Sequence, residues 1–455
     1  MEVRDIEFVG ARVVAAAGAT VRWTAIDGGH SVTADDGSFD LPVGGLLEPG
    51  DVVTWRAPRT DATIRYHCRI HGGRGGLGMS GVVVVGRGQP RTTVPPAPTR
   101  LVPSRRYPTL ARALTSAPRG TTVVVRPGVY RESLVVTTPG ITIRGAGTRP
   151  ADVVLDGSIG RDVGITVIAD DVRLERIALR RFGVAGIHAH DTRGFSAREL
   201  ELRANGSYGV RLERVTDVLL DRVYAGGSAV AGVSVAECSC DAVIKGAIAE
   251  RNLAGIVISN AASVVVRDSI IRANAVGVVL KTTRGDPALQ QRAAALLRNS
   301  ITDNVALTVP VAPLSADLDL PVGTGVLVLG GRDNVISRNT VTGHHFGIAV
   351  VASTLPASGN RVTENLVSDS TTADLAWDGV GTGTCFAANS RTDGGQPQSE
   401  PALAQRLYAC SLLVTIGLPD PLIATQLAQY AVTRHYCRQL LGSACPTAAR
   451  ATVRR

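Results

Sequence analysis

Lysine is almost missing from this chain of 455 residues: Lys245 and Lys281 are the only two, and the rest of the 48 basic residues are arginine. Aromatics are equally scarce at 4%, and methionine occurs only at Met1 and Met79. No apolar run approaches the roughly 20 residues that a transmembrane helix requires, so the sequence offers no spanning segment. The net charge of +9 would suit an acidic polymer, but no basic run is interleaved with aromatics, which argues against a nucleic-acid groove. What is abundant is 50 glycines and a hydrophobic fraction of 44% carried mainly by Val, Ala, Leu and Ile, a composition that favours sheet. The length exceeds one ordinary compact core, so either several domains or one elongated repeat is expected.

Seven cysteines are present, Cys68, Cys238, Cys240, Cys385, Cys410, Cys437 and Cys445, and the odd number points to one thiol with a separate task. The last four lie in a C-terminal stretch suited to disulfides formed outside the cytoplasm, with Cys385–Cys410 and Cys437–Cys445 preferred among three connectivities. Cys238 and Cys240 are expected to point the same way on one strand as buried thiols. Met1 is followed by the acidic, strand-like "EVRDIEFVGARVV" and not by a basic then apolar signal. The cysteines favour a start downstream of a removed export signal, hence a secreted, periplasmic or cell-surface protein.

Two periodicities divide the chain. Residues 1–86 carry short apolar or alternating runs ("VRWTAI", "DVVTWRA", "ATIRYHC", "SGVVVVG") separated by glycine- and aspartate-rich turns, the pattern of a small β-sandwich. Residues 87–106, rich in Pro and Arg, read as an extended linker. Beyond it, Gly164, Gly186, Gly209, Gly232, Gly255, Gly277, Gly325 and Gly347 each open a short apolar strand at steps of 22, 23, 23, 23, 22, 48 and 22. A period near 22 marks a solenoid. Asn205, Asn252 and Asn274 precede successive glycines, where stacked amides can bond from coil to coil, and His344 falls at the same offset as a ladder substitute. The long step implies insertions around "RGDPALQQRAAALL" and "VALTVPVAPLSADLDLPVGT" that project as loops.

The stretch 107–147, "YPTLARALTSAPRGTTVVVRPGVYRESLVVTTPGITIRGAG", resembles the opening of right-handed parallel β-helix proteins of the pectate-lyase-like class. The resemblance runs to about residue 380 and implies a capping helix followed by coils. Beyond it, the cysteines and the helical pattern of "PLIATQLAQYAVTRHYCRQLL" read as a disulfide-bearing cap over 381–455. That class includes lyases, hydrolases, epimerases, adhesins and NosD-like accessory proteins, so fold alone does not name an activity.

The stretch "RYHCRIHGGRGGLGMSG" at 65–81 holds a Cys, a His and a Met among glycines, with His30 upstream. Two imidazoles, a thiolate and a distant thioether are the donor set of a blue-copper site, because soft sulfur stabilises Cu(I) while imidazole tolerates Cu(II). "VRWTAIDGGHSVTADDGSFD", "LEPGDVVTW" and "IRYHCRIHGGRGGLGMSGVVVV" together resemble the plastocyanin-like cupredoxins. That resemblance implies a Greek-key sandwich holding one type 1 copper ion on His30, Cys68, His71 and Met79, and a redox or copper-transfer protein partner. The seven residues between His71 and Met79, five of them glycine, make a longer loop than is usual there. His67 should point to the opposite strand face from Cys68.

In the solenoid, alternation turns Ile187, Ala189, Val210, Leu212, Val233 and Val235 inward and His188, His190, Arg211, Glu213 and Ser234 outward. A step of 23 sets His190 beside Glu213 and His188 beside Arg211, an acid, bases and a cation that could abstract a proton from a sugar ring. The calcium-binding Asp cluster of pectate lyases, the paired-Asp segment of polygalacturonases and the Asp-Pro-His-Asp stretch of alginate epimerases are not found. Exposed charges on a solenoid mostly solubilise, so the residues lean towards a non-catalytic β-helix. The expectation is an all-β, copper-binding electron-transfer or copper-handling protein whose β-helix binds a polysaccharide or protein partner. The alternatives are a polysaccharide lyase, hydrolase or epimerase with an accessory copper domain, and a surface scaffold or adhesin.

Overall fold

The computed structural model describes residues 2–4, 7–9, 12–25, 29–48, 50–74, 77–86, 98–283, 287–305, 320–402, 404–411, 422, 423, 426 and 427. The chain separates into two units, 1–97 and 98–455, and is all-β apart from short helices.

The first unit is a sandwich of a four-stranded and a five-stranded sheet. In the first sheet Thr20–Ala25 lies between Glu2–Arg4 and Val52–Arg56. In the second, the hairpin Ala62–Gly73 with Leu77–Gly86 is flanked by Arg12–Ala16 and Val32–Ala34. Strand alternation sends one face of each sheet inward, and the scarce aromatics concentrate there. Tyr66 meets Phe8 and Trp23 edge-on at 4.7 and 5.5 Å between ring centroids, and Phe39 closes the cluster against Trp55 at 4.9 Å. Burial of rings of this size supplies much of a small core's stability.

The second unit is a solenoid of parallel strands, each pairing with the strand one coil later. Its strands form one sheet of 11 and one of 20, the larger taking two strands from most coils. The inward row of the smaller sheet runs Ile187, Val210, Val233, Ile256, Val278, Val326, Ile348, as the glycine register predicts, and every member is buried. Corners are made by single residues in the left-handed region, among them Asp191, Arg214 and Glu237 at φ of 54°, 53° and 57°. Most of these corner residues are not glycine, and their charged side chains bond from coil to coil: Arg214 reaches Asp191 at 2.6 Å and Glu237 at 3.1 Å.

Buried amide ladders satisfy the backbone where it bends. The expected one runs Asn252, Asn274, Asn304 at 3.1 and 2.8 Å and ends on His344 Nε2, 3.2 Å from Asn304 Nδ2. Asn205 bonds instead to the Leu179 carbonyl and the Phe182 amide. Two further ladders escape the glycine-based register: Asn299, Asn339, Asn365, Asn389 and Gln405, and Gln291, Asn334 and Asn360 ending on Thr384.

Several boundaries differ from the sequence reading. Thr99–Val102, placed in the linker, is the first strand of the larger sheet, and Cys385–Ala387 and Ser399–Glu400 carry both sheets past residue 380. Of the first insertion, Ala295–Leu297 is an ordinary coil strand and Gln291 a ladder member, so the projecting part is shorter than expected. Most of the second insertion lies outside the described residues. The helix Leu110–Leu114 covers one end of the core with Leu110 and Ala113, and Ala404 and Tyr408 cover the other. Leu422, Ile423, Gln426 and Leu427 are helical, while the Cys437–Cys445 pairing lies outside the described residues. The Cys385–Cys410 disulfide is formed as expected. Cys238 and Cys240, by contrast, are not thiols but a second disulfide: Cys238 stands in the turn before the strand Ser239–Lys245, which brings the two Cα atoms to 4.9 Å. No helix among the described residues is long and apolar enough to cross a membrane.

Candidate functional sites

In the sandwich, the hairpin around Cys68 is irregular. His67 pairs with Ser80 and Gly72 with Gly78, so four residues, Cys68 to His71, stand opposite the single residue Met79. The glycine run expected as a long loop therefore prolongs the hairpin, with Gly73 paired to Leu77. A bulge of this kind re-aims side chains that strict alternation would separate. Cys68 and Met79 are both buried in the sandwich core, and Cys68, unlike Cys238, Cys240, Cys385 and Cys410, is not in a disulfide.

The turn carrying His30 is tied to the same place. The Ser31 amide donates to Cys68 Sγ at 3.4 Å, and the Arg69 amide donates to Ser31 Oγ at 2.9 Å. His30 itself is buried and bridged to Leu47. His67 turns away as expected, its Nδ1 2.7 Å from Asp35. The side chain of His71 lies outside the described residues. The turn that carries His30 is thus fastened beside Cys68 through Ser31, and Cys68 and Met79 share the sandwich core.

On the solenoid, the candidate residues occupy the outer face of the strands Ala185–Arg193 and Tyr208–Thr216. Backbone register sets His188 opposite Arg211 and His190 opposite Glu213, as expected. The side chains pair differently. His188 Nε2 crosses the diagonal to Glu213 Oε2 at 3.0 Å, while His190 Nδ1 turns to Asp191 at 2.9 Å. Arg211 holds the other oxygen of Glu213 through Nε at 2.9 Å and lies over the Tyr208 ring at 5.1 Å. Burial pushes His188 below its ordinary value although Glu213 opposes that shift, so the imidazole is neutral at pH 7. Arg211 and His188 together hold the Glu213 carboxyl below the usual range despite its partial burial.

Farther along the same face the surface becomes apolar. The outward row continues through Ser234 to Val257, Val279, Leu327, Ala349 and Ala376, which are buried beneath Leu320, Val322, Ile423 and Leu427. The sequence reading missed this cover. Its signal was present: "GIVIS", "GVVLK" and "GVLVL" are continuous apolar runs, the mark of a strand buried on both faces. The polar cluster sits beside the covered region, with Tyr208 packed against its edge.

These parallel coils, with an inward aliphatic row and buried amide ladders at their corners, define a parallel β-helix. The family described as "Right handed beta helix region" matches residues 140–294 and 185–367, and the chain belongs to it. Among solved structures, the mannuronan C-5 epimerase AlgE6 A-module of Azotobacter vinelandii is similar at a TM-score of 0.51 and 17% identity, over 64% of this chain and 82% of that one. The AlgE4 A-module of the same organism gives 0.47 and 17%, over 61% and 88%. An alginate lyase from Paenibacillus sp. str. FPU-7 gives 0.35 and 17%, over 66% and 98%. At 17% identity the AlgE6 A-module shows a shared fold and no more. No curated protein matches the chain.

Proposed function

We propose that the β-helix is carbohydrate-active, acting on an acidic polysaccharide at the face of His188, Arg211 and Glu213. The observation that carries this reading is the His188–Glu213 contact, which orients a neutral imidazole beside an arginine on an open strand face. With Glu213 ionised, the proton of that contact sits on His188 Nε2, which leaves Nδ1 able to accept one. That is the disposition of a general base with an orienting carboxylate. Arg211 supplies positive charge for a sugar carboxylate, whose neutralisation acidifies the adjacent C–H. Lyase and epimerase chemistry both begin with that proton abstraction, and the solved relatives with this fold include polysaccharide enzymes of both kinds. The test is incubation of the protein with polyuronates and assay for unsaturated ends or inverted residues. Activity that survives both His188→Ala and Glu213→Gln overturns the site.

A second reading concerns the sandwich. The Ser31 amide bond to Cys68 Sγ supports copper binding there, because an N–H donated to sulfur stabilises thiolate, the form that ligates metal. His30, Cys68, His71 and Met79 would hold one ion, and copper when bound supplies one-electron redox chemistry; electron transfer or copper handling with a protein partner follows from it. Ser31 and Arg69 position the thiolate, and the surrounding core excludes water. Adding Cu(II) to the purified protein should produce an intense thiolate charge-transfer band that Cys68→Ser abolishes. A colourless product, or colour unchanged in that variant, overturns the reading.

A further inference from the structure

The Cys238–Cys240 disulfide has one residue between its cysteines, whereas Cys385–Cys410 closes 25 positions. The stabilisation a disulfide gives through the unfolded chain grows with the loop it closes, so this bond contributes close to the minimum. Nor is it needed to hold the segment. The Ala262 amide donates to the Cys238 carbonyl at 2.8 Å and the Asp217 amide to the Cys240 carbonyl at 2.9 Å, so neighbouring coils already fix both residues. The bond lies at an irregularity in an otherwise regular sheet: Ser239 pairs with Ala262 but Ala242 with Val264, leaving one extra residue on the cysteine side. Bulges of this kind are features placed for a purpose more often than defects. Its two ends also differ in access, since Cys240 is fully buried in the aliphatic core while Cys238 is partly exposed at the turn.

We infer that Cys238–Cys240 is an exchange-active disulfide, a thiol–disulfide redox site on the flank of the β-helix. The co-reactant is a dithiol. Its thiolate attacks Sγ of the accessible Cys238, the S–S bond breaks, and Cys240 leaves as a thiolate that takes up a proton in the core. The second thiol of the reductant then displaces Cys238 from the mixed disulfide. The protein gains two electrons and two protons, and the reductant departs as its disulfide. The two cysteines remain held by neighbouring coils in either state, so exchange requires no unfolding.

The deciding experiment uses the full chain under native conditions. It is equilibrated with graded dithiothreitol while circular dichroism follows the sheet, then quenched in acid, denatured, alkylated and read by peptide mass spectrometry. Cys238 and Cys240 should become alkylated together at a dithiothreitol concentration at least tenfold below that needed for Cys385 and Cys410, with the sheet signal intact. In Cys240→Ser, oxidised glutathione should add one glutathione to Cys238; in Cys238→Ser, buried Cys240 should add none. Reduction of this pair only together with or after Cys385–Cys410, or only as the sheet signal is lost, overturns the inference. So does isolation of the air-exposed protein with both thiols free. If the serine variants fail to fold, the titration of the unmodified chain still decides.

Discussion

His188 Nε2 lies 3.0 Å from Glu213 Oε2 although the strands that carry them set His188 opposite Arg211. Beyond the burial that lowers its pKa, the imidazole therefore feels two opposed charges, a carboxylate that favours its charged form and a guanidinium that disfavours it.

The two influences can be separated by substitution. Glu213→Gln should move the His188 pKa further down, and Arg211→Ala should move it up, each readable as the midpoint of the His188 ring proton shift in an NMR titration. Shifts of the same sign in both variants would contradict the pairing described. The polysaccharide activity proposed above should fall by at least 100-fold in His188→Ala, the order expected when a general base is removed.

His344 ends an amide ladder in the core, where burial pushes its pKa down to about 3 from 6.5. Nδ1 has no hydrogen-bond partner among the described residues. Because the folded-state pKa is depressed, the unfolded chain binds the proton first as pH falls, and stability drops progressively between pH 6.5 and about 3. At pH 5 that amounts to about 2 kcal/mol. His344→Asn should thus stabilise the second unit by about 2 kcal/mol more at pH 5 than at pH 8. Denaturant melts at the two pH values measure this; an equal effect at both would place His344 outside the acid response.

Asn339 donates to the Leu296 carbonyl and to Asn365 Oδ1, and accepts from the Asn299 amide and side chain, all in the buried interior. Asn339→Leu removes every one of these while leaving the backbone groups in place without water. A loss of roughly 3–5 kcal/mol follows from several unsatisfied groups at 1–3 kcal/mol each, partly relaxed. A melting temperature within a degree of the original would show that the ladder is dispensable.

In the sandwich, His67 is engaged by Asp35 at 2.7 Å while His30 stands with the Ser31 turn beside Cys68. His30→Ala should therefore abolish the copper charge-transfer band, and His67→Ala should keep it at a cost in stability. The absorption spectrum of each variant with one equivalent of Cu(II) distinguishes the two.

The coil register was legible because Gly164 to Gly347 recur at steps of 22 or 23 broken by a single long one, and a parallel strand must repeat its inward side chain once per coil. His344 was legible for the same reason: a fixed offset implies a fixed place in the stack. The other two ladders were not, since Asn299, Asn339 and Asn365 follow different corners whose spacing the glycine frame does not mark. The split of the solenoid face also had to come from packing. Val257 and Val279 belong to the outward row, and only contact with Leu320, Val322 and residues far along the chain buries them.

The β-helix, its register and its inward aliphatic row follow from the residue pattern alone, because periodic burial is a property of local pattern. The sequence also placed His188, Arg211 and Glu213 on one face and proposed the four copper donors. Which side chains bond is set by the folded contacts, since His188 chooses between Arg211 and Glu213 through torsions and charge and not through spacing. Folding likewise joined Cys238 to Cys240 across a turn that alternation reads as strand, and set the segment Cys68–His71 opposite Met79 through a bulge that no periodicity announces. In each case the deciding contact depends on a departure from regular geometry, which a repeating pattern cannot encode.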